Sequence, residues 1–325
     1  MNSQEHVMRL STTAIVLVHY GKPETTKRCL ERLASVAPES LVVVSNNAGR
    51  EHAEELASFA ENSLEVNSLL TEFEDISESW DKRGGVVVLH NCGNRGFAAG
   101  CNSGIRLVRS LGGFNAVWLL NNDTRPEQGA VEALLTTLAA SPKSILGATV
   151  VHGGEAGQRI QVAGGVQYTP WLSRIEPNHA GTRLEDMAGL SNLPMDYVYG
   201  ASLFVPMSLF DDIGLLDEKF FLFYEELDLC LRAKAAGYSL GWCRECIVNH
   251  DVSASIGRPE TASHHQGRTA AYHEARSTFL FTRKHYPWLL PPVLLLRSLL
   301  KPALLALRGE WHCIGPALSG LWAGG

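Results

Sequence analysis

Several signatures are missing from this sequence, and each absence narrows the function. There is no G-x-G-x-x-G and no Gly-Lys-Ser/Thr loop, so the familiar dinucleotide and phosphate-loop fingerprints are absent. Cysteine is sparse: seven residues (Cys29, Cys92, Cys101, Cys230, Cys243, Cys246, Cys313), odd in number and scattered. They suit small core residues in a reducing compartment rather than a disulfide scaffold. Cys243-Arg-Glu-Cys246 is a lone C-x-x-C with no second pair, which disfavours zinc. Met1 to Leu10 is polar and has no apolar signal core, so secretion by that route is not expected. Internal repeats and low-complexity tracts are missing too. Gly237-Tyr-Ser239-Leu-Gly241 fits G-x-S-x-G, but it lies between a helix end and a strand start. A hydrolase nucleophile elbow needs the reverse order, so the match is rejected.

What is present is a 325-residue chain of ordinary apolar content, long enough for one large domain or two smaller ones. Its net charge of −6 is uneven. From Arg268 onward, seven Lys/Arg face only Glu274 and Glu310, a charge of +5 that leaves −11 on residues 1–267. A basic, apolar tail on an acidic body points to a membrane surface and not to nucleic acid.

Short apolar runs without polar alternation read as strands buried on both faces of a parallel sheet. Thr13–Val18, Leu41–Val44, Val86–Leu89 and Val117–Leu120 all have this form, and helical patterns alternate with them. One such helix begins near Pro23 with Cys29, Leu30 and Leu33 inward, and another carries Ile105, Leu107 and Val108. This order predicts an α/β fold with right-handed crossovers. The acidic stretch from Glu51 to Asp81 reads as a solvated helix and loop. Further strands are expected over Ile145–Val151, Ile160–Val166, Met195–Pro206, Tyr238–Trp242 and Ile247–His250. Gly200 interrupts its strand, which suggests close backbone approach to another group.

In open α/β sheets ligands collect at the carboxyl ends of the strands. Asn121-Asn122-Asp123 ends the fourth strand, so Asp123 stands where a ligand or metal would be met. The loop Gly93–Gly104 can place backbone N–H groups and a helix N-terminus near a diphosphate, or can simply turn the chain. Glu225, Glu226 and Asp228 begin a helix after the run Phe220-Phe-Leu-Phe-Tyr224. First-turn carboxylates favour the helix macrodipole. At the edge of an apolar wall they also suit a general base. His250 ends an apolar run, where a lone histidine is commonly a hydrogen-bonded structural residue.

In order, these pieces resemble family 2 glycosyltransferases, in particular the rhamnosyltransferase-like group of bacterial surface-polysaccharide synthesis. The resemblance spans about Thr13 to Ser255. It rests on Val43-Val44-Ser45-Asn46, Asn94-Arg-Gly-Phe-Ala-Ala-Gly-Cys-Asn102 and Leu119-Leu-Asn-Asn-Asp-Thr124. It continues through Gly200-Ala, Gly214-Leu-Leu-Asp-Glu-Lys-Phe-Phe221, Tyr224-Glu-Glu-Leu-Asp-Leu-Cys-Leu-Arg232, and His250 with Ser253 and Ser255. It implies a GT-A fold over 1–265 with a helical extension over 266–325, a nucleotide-sugar donor (a dTDP- or UDP-sugar), a divalent metal (Mg2+ or Mn2+) and inversion at the anomeric carbon. Donor contacts are implied at His19, Tyr20, Ser45, Asn46, Asn94, Gly96, Phe97, Gly100, Asn102, Asn121, Asn122, Asp123 and Gly200. Asp123 and His250 are implied as metal ligands. Glu226 falls at the position of the family's catalytic Asp, with Glu225 beside it. Ser45 stands where an Asp is usual, Asn121 replaces the first acid of the D-x-D-like motif, and Glu226 is one methylene longer than Asp. Arg232 can pair with the acids, face phosphate, or pack.

Pro287 to Arg308 is strongly apolar, but Arg297, Lys301, Pro291, Pro292 and Pro302 interrupt it. An unbroken span needs about twenty apolar residues. Arg297, Lys301 and Arg308 share one helical face, as for an in-plane helix with basic residues at the headgroups. Packing on the catalytic domain or in a homodimer is the other reading. The expected acceptor is a glycan or lipid-linked saccharide, at the cytoplasmic face of the membrane. The competing functions are a sugar-phosphate nucleotidylyltransferase, for which His19-Tyr-Gly-Lys-Pro23 is a poor first loop, and a non-catalytic glycan-binding protein.

Overall fold

The computed structural model describes residues 12–72, 84–154, 157–250 and 264–323. Ser253, Ser255, Met1–Leu10 and the later part of the acidic segment lie outside the described residues. The first half alternates strand and helix, and β3 adds a strand inside the stretch expected as a solvated helix and loop: β1 (Thr13–His19), α1 (Pro23–Val36), β2 (Leu41–Asn46), α2 (Arg50–Ser63), β3 (Ser68–Thr71) and β4 (Val86–His90). It continues with α3 (Phe97–Leu111), β5 (Ala116–Asn121), β6 (Thr124–Pro126) and α4 (Ala130–Ala140). The second half is richer in strands: β7 (Ser144–Gly154), β8 (Gly157–Ala163), β9 (Gly165–Thr169), β10 (Arg174–Pro177), β11 (Tyr197–Val198) and β12 (Ser202–Pro206). Then follow α5 (Met207–Ile213), α6 (Glu225–Ala235), β13 (Ser239–His250), α7 (His264–His285), α8 (Leu290–Leu307) and α9 (Ile314–Trp322).

The main sheet has the order β3-β4-β2-β1-β5-β12-β7-β13-β6, with β8 on β7. The pairs β3/β4, β4/β2, β2/β1 and β1/β5 are parallel, whereas β12 runs antiparallel between β5 and β7. Every residue of β1 and β2 is buried, which is why these strands read as unbroken apolar runs. Helix α3 sits tightly on β1: a Cβ at Gly104 would lie 2.5 Å from Val16 Cγ1. The two short strands expected at Tyr238–Trp242 and Ile247–His250 are one strand, β13. Its register along β7 shifts between Cys243 and Ile247, so a bulge joins the halves.

Of the two uses expected for the basic face of the tail, it takes packing against the protein. Arg297 and Lys301 of α8 turn towards α7 and pair with Glu274, Lys301 at 2.8 Å. The outward face is apolar instead, with Leu295, Leu299, Leu304 and Leu307 exposed and Trp288 and Trp311 at its ends. A half-buried acid on α7, Glu274, draws the basic residues inward. Helix α7 itself packs against the segment before α6: His273 stacks on Phe221 (ring centroids 4.2 Å apart) and Ser277 Oγ donates to Leu222 O (2.8 Å).

Candidate active site

Parallel register brings three strand ends to one edge, because His19 pairs with Asn46 and Val18 with Asn121. His19 is fully buried, its Nδ1 2.7 Å from Thr26 Oγ1 and its Nε2 3.2 Å from His52 Nδ1. Burial and the neighbouring His52 push its pKa down to about 4, against Glu55 and Glu24, so the ring is neutral at pH 7. Tyr20, by contrast, projects into solvent. Asn122 Nδ2 also donates to Thr26 Oγ1 (2.8 Å), so Thr26 ties the end of β1 to that of β5.

Ser45 and Asn46 organise the adjoining loops. Ser45 Oγ donates to Gly100 O and accepts from Asn91 Nδ2, both at 2.7 Å. Asn46 Nδ2 donates to Gly49 O (3.0 Å), and its Oδ1 accepts from Ala48 N (3.1 Å). In the glycine-rich loop, Asn94 Oδ1 accepts from Gly96 N at 3.0 Å. Gly96 has φ +92°, and a Cβ there would lie 2.4 Å from Phe221 O, which already accepts from Phe97 N (2.7 Å). A Cβ on Gly100 would meet Val18 at 2.8 Å. Asn102 Nδ2 donates to Leu216 O (2.9 Å) and Glu218 Oε1 (3.0 Å), and Leu216 N returns a bond to Asn102 Oδ1 (3.0 Å). Ser45, Gly96, Gly100 and Asn102 thus fasten α3 between the sheet and the segment 214–221.

Asp123 and His250 meet because β6 runs antiparallel to β13, with His250 opposite Thr124. The Asp123 side chain is buried, and its Oδ1 lies 3.2 Å from His250 Nε2. His250 Nδ1 faces Gln161 Oε1 (3.0 Å), and Gln161 Nε2 donates to the Tyr199 hydroxyl (2.8 Å). With its amide so oriented, Gln161 can accept from Nδ1–H, the tautomer in which Nε2 is able to serve as a metal ligand. Among the described residues no three His, Cys, Asp or Glu cluster as metal ligands, and Asp123 with His250 is the pair that meets here. Burial, with the charges of Glu226 and Asp123, pushes the Tyr199 phenol up to about 12. Tyr199 thus reaches the strand-end pair through Gln161, while its neighbour Gly200 lies against Glu226.

The first turn of α6 separates the three acids by task. Phe223 and Tyr224 both have left-handed backbone (φ +69° and +73°), a conformation costing about 1–3 kcal/mol per non-glycine residue. Thr278 Oγ1 on α7 donates to the Tyr224 hydroxyl (3.1 Å), and the ring packs on Tyr168 and Phe281. Glu225 and Glu226 follow. Oε2 of each is buried and has no hydrogen-bond partner among the described residues. Burial raises both carboxyls, and the Glu226 charge drives Glu225 well above the usual range. A Cβ on Gly200 would sit 3.2 Å from Glu226 Oε1, so the glycine lets β12's entry pass close to that carboxylate. Asp228 points away: it meets Arg232 Nε (2.8 Å), Lys284 Nζ (2.6 Å) and His285 Nε2 (2.7 Å). Arg232 also donates to Ile213 O and Leu215 O, so its role is structural.

Gln161, Tyr199 and Thr26 were not anticipated from the sequence. Tyr199 had a usable signal, since it directly precedes Gly200. Gln161 is one polar residue on an alternating strand, which marks nothing.

Residues 14–194 match the sequence model of glycosyl transferase family 2. Among curated proteins, the low-salt glycan biosynthesis hexosyltransferase Agl10 of Haloferax volcanii is 23% identical over 261 residues, which cover 78% of this chain and 71% of that protein. The N-acetylglucosaminyl-diphospho-decaprenol L-rhamnosyltransferase of Mycobacterium tuberculosis is 33% identical over 101 residues, 31% of each chain. Among solved structures, GalNAc-T7 with UDP, GalNAc and Mn2+ superposes with a TM-score of 0.56 at 14% identity. That superposition covers 84% of this chain and 48% of the other, and it supports the fold. With more than half of its residues matched by the family's sequence model, the chain belongs to glycosyl transferase family 2 and is a nucleotide-sugar glycosyltransferase of the GT-A type.

Proposed function

We propose that the chain is an inverting, metal-assisted hexosyltransferase of the rhamnosyltransferase-like group, with Glu226 as the base. The observation that carries this is a chain of contacts between two acidic clusters: His250 beside Asp123 meets Gln161, Gln161 meets Tyr199, and Gly200 next to Tyr199 lies against the Glu226 carboxyl. Glu226 takes the proton of an acceptor hydroxyl as that oxygen attacks the anomeric carbon, and the bond to the donor's diphosphate oxygen breaks. Its raised pKa brings it towards working pH, where a carboxylate base is more effective. Burial and the Glu226 charge raise the Glu225 carboxyl well above the usual range, which disfavours a second negative charge beside the base.

Asp123 Oδ1 and His250 Nε2 suit Mg2+ or Mn2+: two lone-pair donors face each other across 3.2 Å, and Gln161 fixes the tautomer. Such a cation, with its remaining ligands from phosphate and water, would neutralise charge on the leaving diphosphate. Of the other donor contacts the resemblance implies, His19, Asn46, Asn121 and Asn122 lie at these strand ends, whereas Ser45, Gly100 and Asn102 are taken up in holding α3.

A glycan or lipid-linked saccharide is the proposed acceptor, with a dTDP- or UDP-sugar as donor. Pro287–Leu307 is long and apolar enough to cross a membrane by length and composition, but Arg297 and Lys301 hold α8 against α7. We therefore place α8 in the plane of the cytoplasmic membrane face, its exposed leucines in the acyl boundary and its flanking tryptophans at the headgroups. A homodimer through this face is the competing use.

The test is turnover of a panel of nucleotide sugars with Mg2+ or Mn2+, read as nucleoside diphosphate release with and without saccharide acceptors. Glu226→Gln should cost about 10²–10⁴-fold and Glu225→Gln less. Unchanged turnover in both variants would remove the base assignment.

A further inference from the structure

Nothing local explains how the chain enters α6. Phe223 and Tyr224 are consecutive non-glycine residues with positive φ, and each such conformation costs about 1–3 kcal/mol. Tyr224 is the N-cap of α6, yet among the described residues no side chain caps that helix start. The first helical bond, from Asp228 N to Tyr224 O (2.9 Å), springs from this strained residue. The Tyr224 backbone therefore sets the direction in which the first turn leaves, and with it where Glu225 and Glu226 point. Relaxation to an ordinary negative φ would redirect the turn and carry the Glu226 carboxyl away from Gly200.

The holding contacts come from α7, in the tail. His273, Ser277 and Phe281 are spaced four apart and share one face of that helix. His273 stacks on Phe221 at 4.2 Å, Arg276 Nη1 donates to Lys219 O (2.9 Å), and Ser277 Oγ donates to Leu222 O (2.8 Å). Phe281 packs on Tyr224 with ring centroids 5.2 Å apart, and Thr278 Oγ1 lies 3.1 Å from the Tyr224 hydroxyl. Two of these fixings, at Leu222 O and at the Tyr224 hydroxyl, bracket the strained pair. Ser277 and Thr278 are buried, so deleting either hydroxyl removes a bond that water does not readily replace. From the other side the glycine-rich loop grips the same strip, Phe97 N donating to Phe221 O (2.7 Å). Residues 219–224 are thus clamped between the start of α3 and the face of α7, directly before the proposed base.

We propose that Ser277 and Thr278 are positioning residues for Glu226: they hold the left-handed turn at Phe223–Tyr224 that aims its carboxyl into the site. The proposal rests on the reading of Glu226 as base. It makes α7 part of the catalytic unit and not an appendage to it. Both hydroxyls act through the turn, not on substrate.

The test uses the full chain with a nucleotide sugar that it turns over. kcat, donor KM and melting temperature are measured for Ser277→Ala, Thr278→Val, Thr278→Ser, Tyr224→Phe and the pair Tyr224→Phe with Thr278→Val, with Glu226→Gln as reference. Ser277→Ala and Thr278→Val should lower kcat about 10–100-fold, as a small misplacement of a reacting group does, with donor KM held within about twofold. Thr278→Ser keeps the hydroxyl and should recover most of the rate. The pair should be no slower than Thr278→Val alone, because both changes remove the same contact. Amide exchange gives a second readout that needs no turnover. Protection of Asp228 N–H should fall in Ser277→Ala and Thr278→Val, while that of β1 stays unchanged.

Wild-type kcat in both variants, a rise in donor KM alone, or unchanged Asp228 protection overturns the proposal. Full activity in Glu226→Gln removes the base reading and the proposal with it. Loss in Glu226→Gln beside full rates in Ser277→Ala and Thr278→Val sinks only the positioning role. If wild type turns over no nucleotide sugar, the transferase reading falls, and amide protection alone decides whether α7 holds the turn.

Discussion

Asp228→Asn should uncouple the catalytic turn from the tail at a measurable cost. The Asp228 carboxylate has no solvent exposure and meets Arg232, Lys284 and His285 within 2.8 Å. Burial alone would raise its pKa. The bonds from His285, Lys284 and Arg232 together outweigh that and lower it from 3.8 to about 2. A shift of that size corresponds to about 2 kcal/mol of folding stability. Removing one partner of a fully buried pair costs about 3–5 kcal/mol. Here the cations keep solvent contact (Lys284 37%, Arg232 22% exposed), so the loss should lie near 2–3 kcal/mol. Because the folded-state pKa is depressed, the stabilisation is complete above the unfolded value of 3.8. It is lost as pH falls through about 2. Urea unfolding at pH 7 should show a lower midpoint with an unchanged slope. Wild type should then lose its advantage over the variant between pH 4 and pH 2. A difference within 0.5 kcal/mol at pH 7, about the scatter of neutral surface changes, would refute the assignment of Asp228 as the clamp. So would a gap that does not close in acid.

Two other perturbations follow from the same contacts. Gln161→Leu removes the acceptor that fixes His250 Nδ1–H, so Mn2+ affinity should fall about 10–100-fold. Isothermal titration with Mn2+ and nucleoside diphosphate reads this directly, and an unchanged affinity would dismiss Gln161 as an orienting residue. Leu299→Glu with Leu307→Glu places two charges on the exposed face of α8, and co-sedimentation with anionic vesicles should drop at least tenfold. Vesicle binding that persists while sedimentation velocity shows a lost dimer would assign the face to self-association.

Legibility in the sequence followed burial. β1, β2, β4 and β5 could be read because both faces of each are covered, leaving apolar runs that no helix period explains. β13 was divided in two because its bulge places Arg244 and Glu245 in mid-strand. The two uses open to the basic face of α8 could not be separated, because the sequence does not show that Glu274, on another helix, lies within reach of Arg297 and Lys301. Asp123 and His250 were singled out through motif order, and antiparallel pairing of β6 with β13 is what brings them together. Gln161 and Tyr199 depend on the path of β8 and on the turn at Gly200, both long-range features. The division of Glu225 and Glu226 from Asp228 also needed α7, whose lysine and histidine claim only the last of the three acids.

The central claim is direct displacement with Glu226 as base. Proton NMR of the newly formed glycosidic linkage, compared with the donor's anomeric proton, tests it most directly. The account predicts the opposite anomeric configuration in the product, formed by wild type and lost in Glu226→Gln. Retained configuration, or an inverted product made at the wild-type rate by Glu226→Gln, would contradict it.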